Sequence, residues 1–332
     1  MSLIPRTPIP EGAIRFNTDS SKMEVWIGDK WMQVAVSSPN LDGGGRGLVA
    51  GGNVPGQTNI IQFVTISSTG DSQDFGDLTS PTQAVPAATG SSTRGIVAGG
   101  QIFPATTNKI DFVTFSSTGD ASDFGDLTQA QQQAAGTGSQ TRGLFAGGEQ
   151  PSLSNKIDLI TIATAGNAND FGDLSVSRRL ASAASSPTRS LVAGGLTPST
   201  SDVIDYITTA TTGNATDFGN LSAGRYGAGG VSSKTRAVFI NGNTGSASDV
   251  MDFVTIATKG DAVDFGDMTK SLSNPQMASD CIRGVRMGGQ GSSIDGEMAY
   301  INIASRGDAV KFGDMTFTHL EGAGCSNAHG GL

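Results

Sequence analysis

The sequence is poor in the residue types on which disulfide frameworks and metal centres depend. Its 332 residues include two cysteines, two histidines, two tryptophans and three tyrosines. Cys281 and Cys325 are too few for a disulfide framework, and we expect both to be buried free thiols. No His-x-x-x-His or Cys-x-x-Cys motif occurs. We therefore expect no bound metal and no cofactor.

Positive charge is also scarce. Lys and Arg total 21 against 30 Asp and Glu, the net charge is −9, and no basic cluster occurs. Phosphate recognition requires cationic patches, so a nucleic-acid partner is excluded and an anionic membrane surface is disfavoured. The start, MSLIPRTPIP, contains no apolar signal core, and no apolar run approaches a membrane span. These absences predict a protein that folds in a cytoplasm and enters no membrane.

Long amphipathic helices are missing, whereas glycine is abundant. No 3.6-residue apolar pattern extends over a dozen residues, and 47 residues are glycine. Such a chain depends on β-turns and small side chains, which indicates an all-β fold.

One phrase, typified by RGLFAGG, occurs six times at intervals of 47 or 48 residues. Each copy opens with an arginine: Arg46, Arg94, Arg142, Arg189, Arg236 and Arg283. A second phrase, typified by DFGDL, keeps the same step and carries an aromatic residue: Phe75, Phe124, Phe171, Phe218, Phe265 and Phe312. A period of 40 to 50 residues with glycine-rich turns is typical of a β-propeller with one four-stranded blade per repeat. The sequence therefore predicts a six-bladed propeller.

The four strands of a blade can be located in the third unit, residues 129–174. QAQQQAAGTG is the predicted first strand, RGLFAGG the second, KIDLITIAT the third, and NANDFGDL a turn and the fourth. The first strand is rich in small residues, as expected where innermost strands crowd around a propeller axis. Double glycines after the second strand allow a turn and a close approach of neighbouring blades.

The last FGDM phrase is followed by one more predicted first strand, because HGGL aligns with the earlier TRGL. We expect this C-terminal strand to pair with the strand at 46–50 and to close the ring, which removes exposed sheet edges. The predicted domains are a small N-terminal β module, residues 1–40, and the propeller, residues 41–332.

The repeat unit resembles a kelch repeat, with an apolar strand ending in a double glycine and an aromatic residue opening the fourth strand. Kelch repeats usually add a Tyr and a Trp that are missing here, so the resemblance is to the architecture. It implies a kelch-like propeller, a fold that serves protein–protein interaction.

Residues 11–34, EGAIRFNTDSSKMEVWIGDKWMQV, read as short strands with turns at Asp19–Ser20 and Gly28–Asp29. The segment resembles a module of structural proteins of tailed bacteriophages through ten matching positions: Gly12, Ile14, Arg15, Phe16, Asn17, Thr18, Glu24, Trp26, Gly28 and Trp31. The DFGDL repeats resemble virion proteins of marine and cyanobacterial phages.

Together these resemblances imply a non-enzymatic virion structural protein, assembled in the host cytoplasm and present in several copies as a fibre-like or decorating component of tail, neck or head. The attachment residues they imply are Ile14, Phe16, Trp26 and Trp31. A unit of about 30 residues buries too little surface to fold alone. The module therefore either docks on other virion proteins or packs on its own propeller.

The repeated charges have a structural and a functional interpretation. The six arginines are predicted to form ion pairs with acidic residues of the second phrase, namely Asp77, Asp126, Asp173, Asp267 and Asp314. The turns typified by STGD have the oxygens that Ca²⁺ prefers, but Asp or Asn after Gly is ordinary turn chemistry, which we favour. No catalytic residue is predicted, because no constellation of nucleophile, base and metal ligands can be assembled.

The loops between second and third strands differ in sequence from one repeat to the next, whereas the TGD and TGN turns on the opposite face hardly vary. Propellers commonly bind through loop surfaces. Candidate ligand residues are Phe103, Asn108, Gln150 and Asn155, and the alternative function is a carbohydrate-binding adhesin for the host surface. Sequence drift without function explains the variation equally well.

Overall fold

The computed structural model describes residues 10, 12–17, 22–33, 45–53 and 56–332. The chain divides into two units, Met1–Leu41 and Asp42–Leu332. Within the described ranges both units consist of antiparallel strands, bridges and turns, without a helix. The predicted all-β class is therefore confirmed.

The part of the N-terminal unit that the structure describes forms one three-stranded antiparallel sheet. Its strands are β1 (Ile14–Asn17), β2 (Lys22–Ile27) and β3 (Lys30–Gln33), in the order β1-β2-β3. The predicted turn at Gly28–Asp29 joins β2 to β3, and Gly28 adopts a φ of 69°. The turn predicted at Asp19–Ser20 lies outside the described residues. The three predicted strands are confirmed.

The described residues of the second unit form six four-stranded antiparallel sheets, numbered here by the order of their arginines. The first strands of sheets 1 to 6 are β29 (Ala323–Ser326), β7 (Ala87–Gly90), β13 (Ala135–Gly138), β17 (Ser182–Ser185), β21 (Gly229–Ser232) and β25 (Gln276–Ser279). The second strands are β4 (Arg46–Ala50), β8 (Arg94–Ala98), β14 (Arg142–Ala146), β18 (Arg189–Ala193), β22 (Arg236–Ile240) and β26 (Arg283–Gln290).

The third strands are β5 (Ile60–Thr65), β11 (Lys109–Thr114), β15 (Lys156–Thr161), β19 (Val203–Thr208), β23 (Ser248–Thr255) and β27 (Ile294–Asn302). The fourth strands are β6 (Gln73–Asp77), β12 (Ser122–Asp126), β16 (Asn169–Asp173), β20 (Thr216–Asn220), β24 (Val263–Leu272) and β28 (Val310–Asp314). A two-residue hairpin, β9 (Gln101–Ile102) with β10 (Ala105–Thr106), interrupts the loop between β8 and β11.

The C-terminal strand belongs to the first sheet. β29 pairs antiparallel with β4, so that Ala323 faces Ala50 and Cys325 faces Leu48. Sheet 1 therefore has the order β29-β4-β5-β6, with its first strand supplied from the other end of the chain. The pairing predicted for the strand at 46–50 is confirmed.

The hydrophobic core of the described second unit is divided into six clusters, each between two consecutive sheets. Leu48 and Phe75 of sheet 1 pack with Phe115 of sheet 2. Val49 of sheet 1 packs with Phe312 of sheet 6 in the same manner. The first strands also contact one another in the order of the sheets, and β29 contacts both β25 and β7.

The small residues of the first strands have a steric cause. A Cβ atom built on Gly136 of β13 would lie 2.1 Å from the carbonyl oxygen of Ala88 in β7. The neighbouring first strands thus approach more closely than a side chain permits.

The second phrase forms the same β-bulge in every sheet. Ile157 of β15 pairs with Gly172 and Asp158 pairs with Asp170, so Phe171 is the extra residue of β16. All six phenylalanines of this phrase are buried in the core. The bulge therefore turns an aromatic side chain inward and leaves the adjacent glycine at the contact with the next sheet.

Candidate functional site

The six repeated arginines connect each sheet to the next one. Each donates through Nη1 to one or two backbone carbonyls just after the third strand of the following sheet: Phe115, Ile162 with Ala163, Thr209, Ile256 with Ala257, Ile303 with Ala304, and Ile66 with Ser67. The last pair joins sheet 6 to sheet 1. The predicted ion pairs with the aspartates of the second phrase are wrong, because these guanidinium groups bind carbonyl oxygens instead.

Five of the six guanidinium groups also lie over an aromatic ring of their own sheet. Arg94, for example, lies 4.7 Å from the ring centroid of Phe112, which in turn meets Phe124 edge-on at 6.0 Å. Sheet 3 differs, since Leu159 occupies the aromatic position beneath Arg142. These five arginines are therefore packed between an aromatic face and a carbonyl acceptor, which is a structural role.

The second phrase and the STGD-type turns form a further connection between sheets. The backbone N–H of Asp126 donates to Oδ1 of Asn167 in the turn of the next sheet, at 3.1 Å, and that of Asp314 donates to Asp71 at 2.9 Å. Asp and Asn both supply this acceptor, which explains why they alternate in the turns. The structure thus assigns the turn carboxylates a hydrogen-bonding role within the fold.

Four third strands carry a buried aspartate that the sequence analysis did not single out: Asp111, Asp158, Asp205 and Asp252. Each accepts hydrogen bonds from the backbone N–H and hydroxyl of a Thr or Ser in the preceding sheet, as Asp158 does from Thr128 at 2.9 and 2.6 Å. Burial raises the pKa of Asp111 and Asp158, and these hydrogen bonds oppose the rise.

Two of these aspartates are paired with fully buried arginines. Nη2 of Arg178 lies 2.7 Å from Oδ2 of Asp205, and Arg225 makes a very short contact with Asp252. Arg178 also donates to the carbonyls of Val192 and Val203. Burial lowers the pKa of both arginines, and the facing carboxylates oppose the change. Because these ion pairs occur in two of the six repeats, the repeat pattern of the sequence did not predict them.

The first strands of all six sheets enclose a cavity of about 60 Å³ that the C-terminal residues border. Nε2 of His329 donates to the Gly90 carbonyl at 2.9 Å, and Nδ1 accepts from the Gly331 N–H at 3.1 Å. Burial lowers the pKa of His329. The cavity is far too small for an organic ligand, and the imidazole is held by the fold rather than offered for catalysis.

The remaining nucleophiles and bases are dispersed. His319 is fully buried, neither of its ring nitrogens has a hydrogen-bond partner among the described residues, and burial lowers its pKa to about 4. Cys281 and Cys325 are free, as predicted, but Cys281 is only half-buried. Burial raises the pKa of Cys325 to about 12, which keeps it a protonated, unreactive thiol. Within the described ranges, no three His, Cys, Asp or Glu side chains are grouped to hold a metal ion.

The predicted ligand residues are divided between two environments. Gln150 lines an open groove of about 470 Å³ between sheets 2 and 3, and Phe103 is 71% exposed at the tip of the β9–β10 hairpin beside it. Asn108 and Asn155 do not line this groove. Their carbonyls instead accept the N–H of Leu127 and Leu174, each at 2.7 Å, and so anchor the ends of fourth strands.

The predicted attachment residues lie on both faces of the N-terminal sheet. Ile14, Val25 and Met32 are successive cross-strand partners, and Ile14 is 65% exposed. Trp26 and Trp31 meet edge-on at 5.4 Å, and Arg15 lies over the Trp31 ring at 4.2 Å. The backbone of Phe16 pairs with that of Met23, while its side chain lies outside the described part.

No protein-family model and no curated protein sequence matches the chain. None of the described residues belongs to a helix that is long and apolar enough to cross a membrane.

Proposed function

We propose that this chain is a non-enzymatic structural protein of a tailed-phage particle, built as a six-bladed kelch-like propeller and attached to other virion proteins through residues 1–40. On this proposal several copies decorate the tail, neck or head, or form part of a fibre. The protein assembles in the host cytoplasm and works in the virion.

The observation that carries the propeller is the cyclic order of the inter-sheet contacts. Each repeated arginine reaches the following sheet, and Arg283 of sheet 6 reaches the carbonyl of Ser67 in sheet 1 at 2.9 Å. Hydrophobic clusters and turn hydrogen bonds follow the same order. A ring of blades in which the last contacts the first accounts for all three series, and such a ring leaves only short, protected sheet edges.

The residues that recur in every repeat serve packing between sheets, and this supports the structural role. The arginines, phenylalanines and turn carboxylates are each held by neighbouring sheets, which leaves none of them aimed at a substrate. A repetitive scaffold with variable loops is suited to presenting a binding surface, because function depends on the residues placed on the fold and not on the fold itself. The phage-like N-terminal sequence then indicates where such a surface is displayed.

Attachment is assigned to the apolar face of the N-terminal sheet. Ile14, Val25, Ile27 and Met32 point to one side by strand alternation, and Ile27 is 50% exposed. The ion pair between Arg15 and Glu24 and the tryptophan pair lie on the other side. An exposed apolar sheet face of this kind is suited to covering by a partner protein.

Immunogold electron microscopy of purified particles, with an antibody against this chain, tests the proposal. We expect labelling at one defined position with constant stoichiometry, and loss of labelling when Ile14 and Ile27 are both replaced by Asp. Asp29→Asn, at the exposed turn, is the matched control and should attach normally. Particles that carry no label would refute the virion assignment.

A second candidate function is host-surface carbohydrate binding. It is favoured by the groove between sheets 2 and 3, where an exposed aromatic residue stands beside polar side chains in the variable loops. A purely structural protein predicts no soluble ligand, whereas an adhesin predicts saturable binding to a glycan.

A further inference from the structure

The groove between sheets 2 and 3 has a defined construction. One wall is the β9–β10 hairpin with Gln101, Pro104 and Thr106, and the other is the segment Glu149–Pro151. Gln132 lines it between them. Its volume of about 470 Å³ falls within the usual range for small-ligand sites. No such space remains at the axis of the sheets, where the cavity measures about 60 Å³.

The charged groups at the groove are already paired. Glu149 forms a very short ion pair with Arg179, which also donates to Oε1 of Gln133 at 3.1 Å. Glu149 is the one charged residue among the described residues that line the groove, and Arg179 neutralises it. An anionic ligand meets no unpaired Lys or Arg among the described lining residues, and the net charge of −9 repels it.

Neutral hydrogen-bonding groups remain available. Gln101 is engaged by Gln83 at 2.9 Å, whereas the amides of Gln132 and Gln150 and the hydroxyl of Thr106 make no side-chain hydrogen bond within the described residues. Each amide offers two donors and an acceptor. A ligand that carries several hydroxyl groups can satisfy them at once.

The hairpin also supports an exposed aromatic ring. Oε1 of Gln57 accepts the Phe103 N–H at 3.0 Å, and Nε2 of the same amide donates to the Gln101 carbonyl at 2.9 Å. Gln57 thereby ties the hairpin tip to the loop of sheet 1. Phe103 is 71% exposed and directly precedes Pro104, which lines the groove, so the anchored hairpin offers an apolar surface beside the groove.

From this arrangement we infer that the groove between sheets 2 and 3 is a binding site for a neutral oligosaccharide, whose sugar rings pack on Phe103 and whose hydroxyls bond to Gln132, Gln150 and Thr106. This inference rests on the second candidate function and assigns it a site and a ligand class. The open groove of about 350 Å³ beside Lys270 is unsuited to the role, because five of its nine lining residues are charged and none of them carries a side-chain amide or an aromatic ring.

The test is titration calorimetry of the full chain with neutral hexasaccharides of glucose, mannose, galactose and N-acetylglucosamine, and with polygalacturonate for comparison. We expect one neutral series to bind and Phe103→Ala and Gln132→Ala each to weaken it about tenfold or more, which corresponds to about 1.4 kcal/mol. Ile282→Ala is the control, since Ile282 is 64% exposed but follows a first strand at the opposite face. Melting temperatures verify that each variant is folded.

Three results overturn the inference. Binding of a neutral glycan that neither groove variant weakens refutes this site, while the second candidate function stands with its ligand bound elsewhere. Binding of polygalacturonate alone refutes the neutral ligand class. If none of the saccharides binds, both the groove site and the adhesin function are refuted. Immunogold labelling of particles would then still support the structural role.

Discussion

The paired carboxylate Asp205 should be far more important for stability than the equivalent Asp158. In sheet 4, Oδ2 of Asp205 accepts from Ser175 and from the fully buried guanidinium of Arg178 at 2.7 Å. In sheet 3, the hydrogen bonds that Asp158 accepts from described residues all come from Thr128. The residue of the third repeat that corresponds to Arg178 is the uncharged, buried Gln131. Asp205→Asn therefore leaves a buried cation without its counter-charge, whereas Asp158→Asn does not.

The expected magnitudes differ clearly. Breaking a buried ion pair by removal of one partner costs about 3 to 5 kcal/mol. The carbonyls of Val192 and Val203 retain part of the guanidinium's hydrogen bonding, so we expect about 3 kcal/mol for Asp205→Asn. A weakened neutral hydrogen bond costs about 1 kcal/mol, which is our expectation for Asp158→Asn. Urea denaturation followed by fluorescence and circular dichroism measures both free energies of unfolding.

The double variant Arg178→Gln, Asp205→Asn removes both charges of the pair, so no buried cation is left without its counter-charge, and it should recover at least half of the loss. Equal losses for Asp205→Asn and Asp158→Asn would refute the reasoning, because the buried charge would then need no carboxylate. Failure of the double variant to recover stability would contradict it in the same way.

Three further changes test the physical account of the fold. Burial lowers the pKa of His319 from 6.5 to about 4, so the unfolded chain binds this proton before the folded chain does as the pH falls. The free energy of unfolding should therefore drop by up to about 3 kcal/mol between pH 6.5 and 4. Thermal melting across this pH range should show a shallower drop for His319→Phe. Gly125→Ala should lower the free energy of unfolding by about 2 kcal/mol, because its Cβ would lie 2.6 Å from the Gly166 carbonyl of the next sheet. Gly119 has a similar φ but free space around the Cβ position, so Gly119→Ala should cost less when both variants are unfolded in urea. Leu159→Phe should raise stability by about 0.5 kcal/mol, because it places a ring beneath Arg142 as in the other sheets; an unchanged or lower melting temperature would count against the cation–π assignment.

The strands could be predicted because six copies of one pattern report the same fold. RGLFAGG gave β14 and KIDLITIAT gave β15 to within a few residues, since apolar alternation and double glycines are local signals. The alignment of the last repeat also located the pairing of β29 with β4. Repetition averages out the ambiguity that a single short strand leaves.

The side-chain contacts were harder to predict. The acceptors of the repeated arginines are backbone carbonyls, such as that of Phe115 for Arg46, and a carbonyl has no sequence signature. The pairing with aspartates was therefore expected on charge alone, and it is wrong. Asp158 and its equivalents carried a usable signal, because a charged residue between apolar neighbours in four of six third strands indicates a buried acceptor.

The candidate groove was only partly predictable. Variable loops directed attention to Phe103 and Gln150, but Gln132 belongs to the segment before a first strand and meets Glu149 only through the tertiary bridge between their backbones. Such a juxtaposition depends on the packing of one sheet against the next, which the local pattern does not encode.

Closure of the proposed ring can be tested directly with the native thiol of Cys325. Its partner across the strand pair is Leu48, and directly opposed residues of antiparallel strands lie within the Cα separation that a disulfide requires. We predict that Leu48→Cys, oxidised during refolding, forms one intramolecular disulfide with Cys325, identified by mass spectrometry of the digested chain. Leu144→Cys, whose partner is Thr137, should not bond to Cys325. Free thiols at both positions of the Leu48→Cys variant would contradict the closure and, with it, the interpretation of the six repeats as one ring.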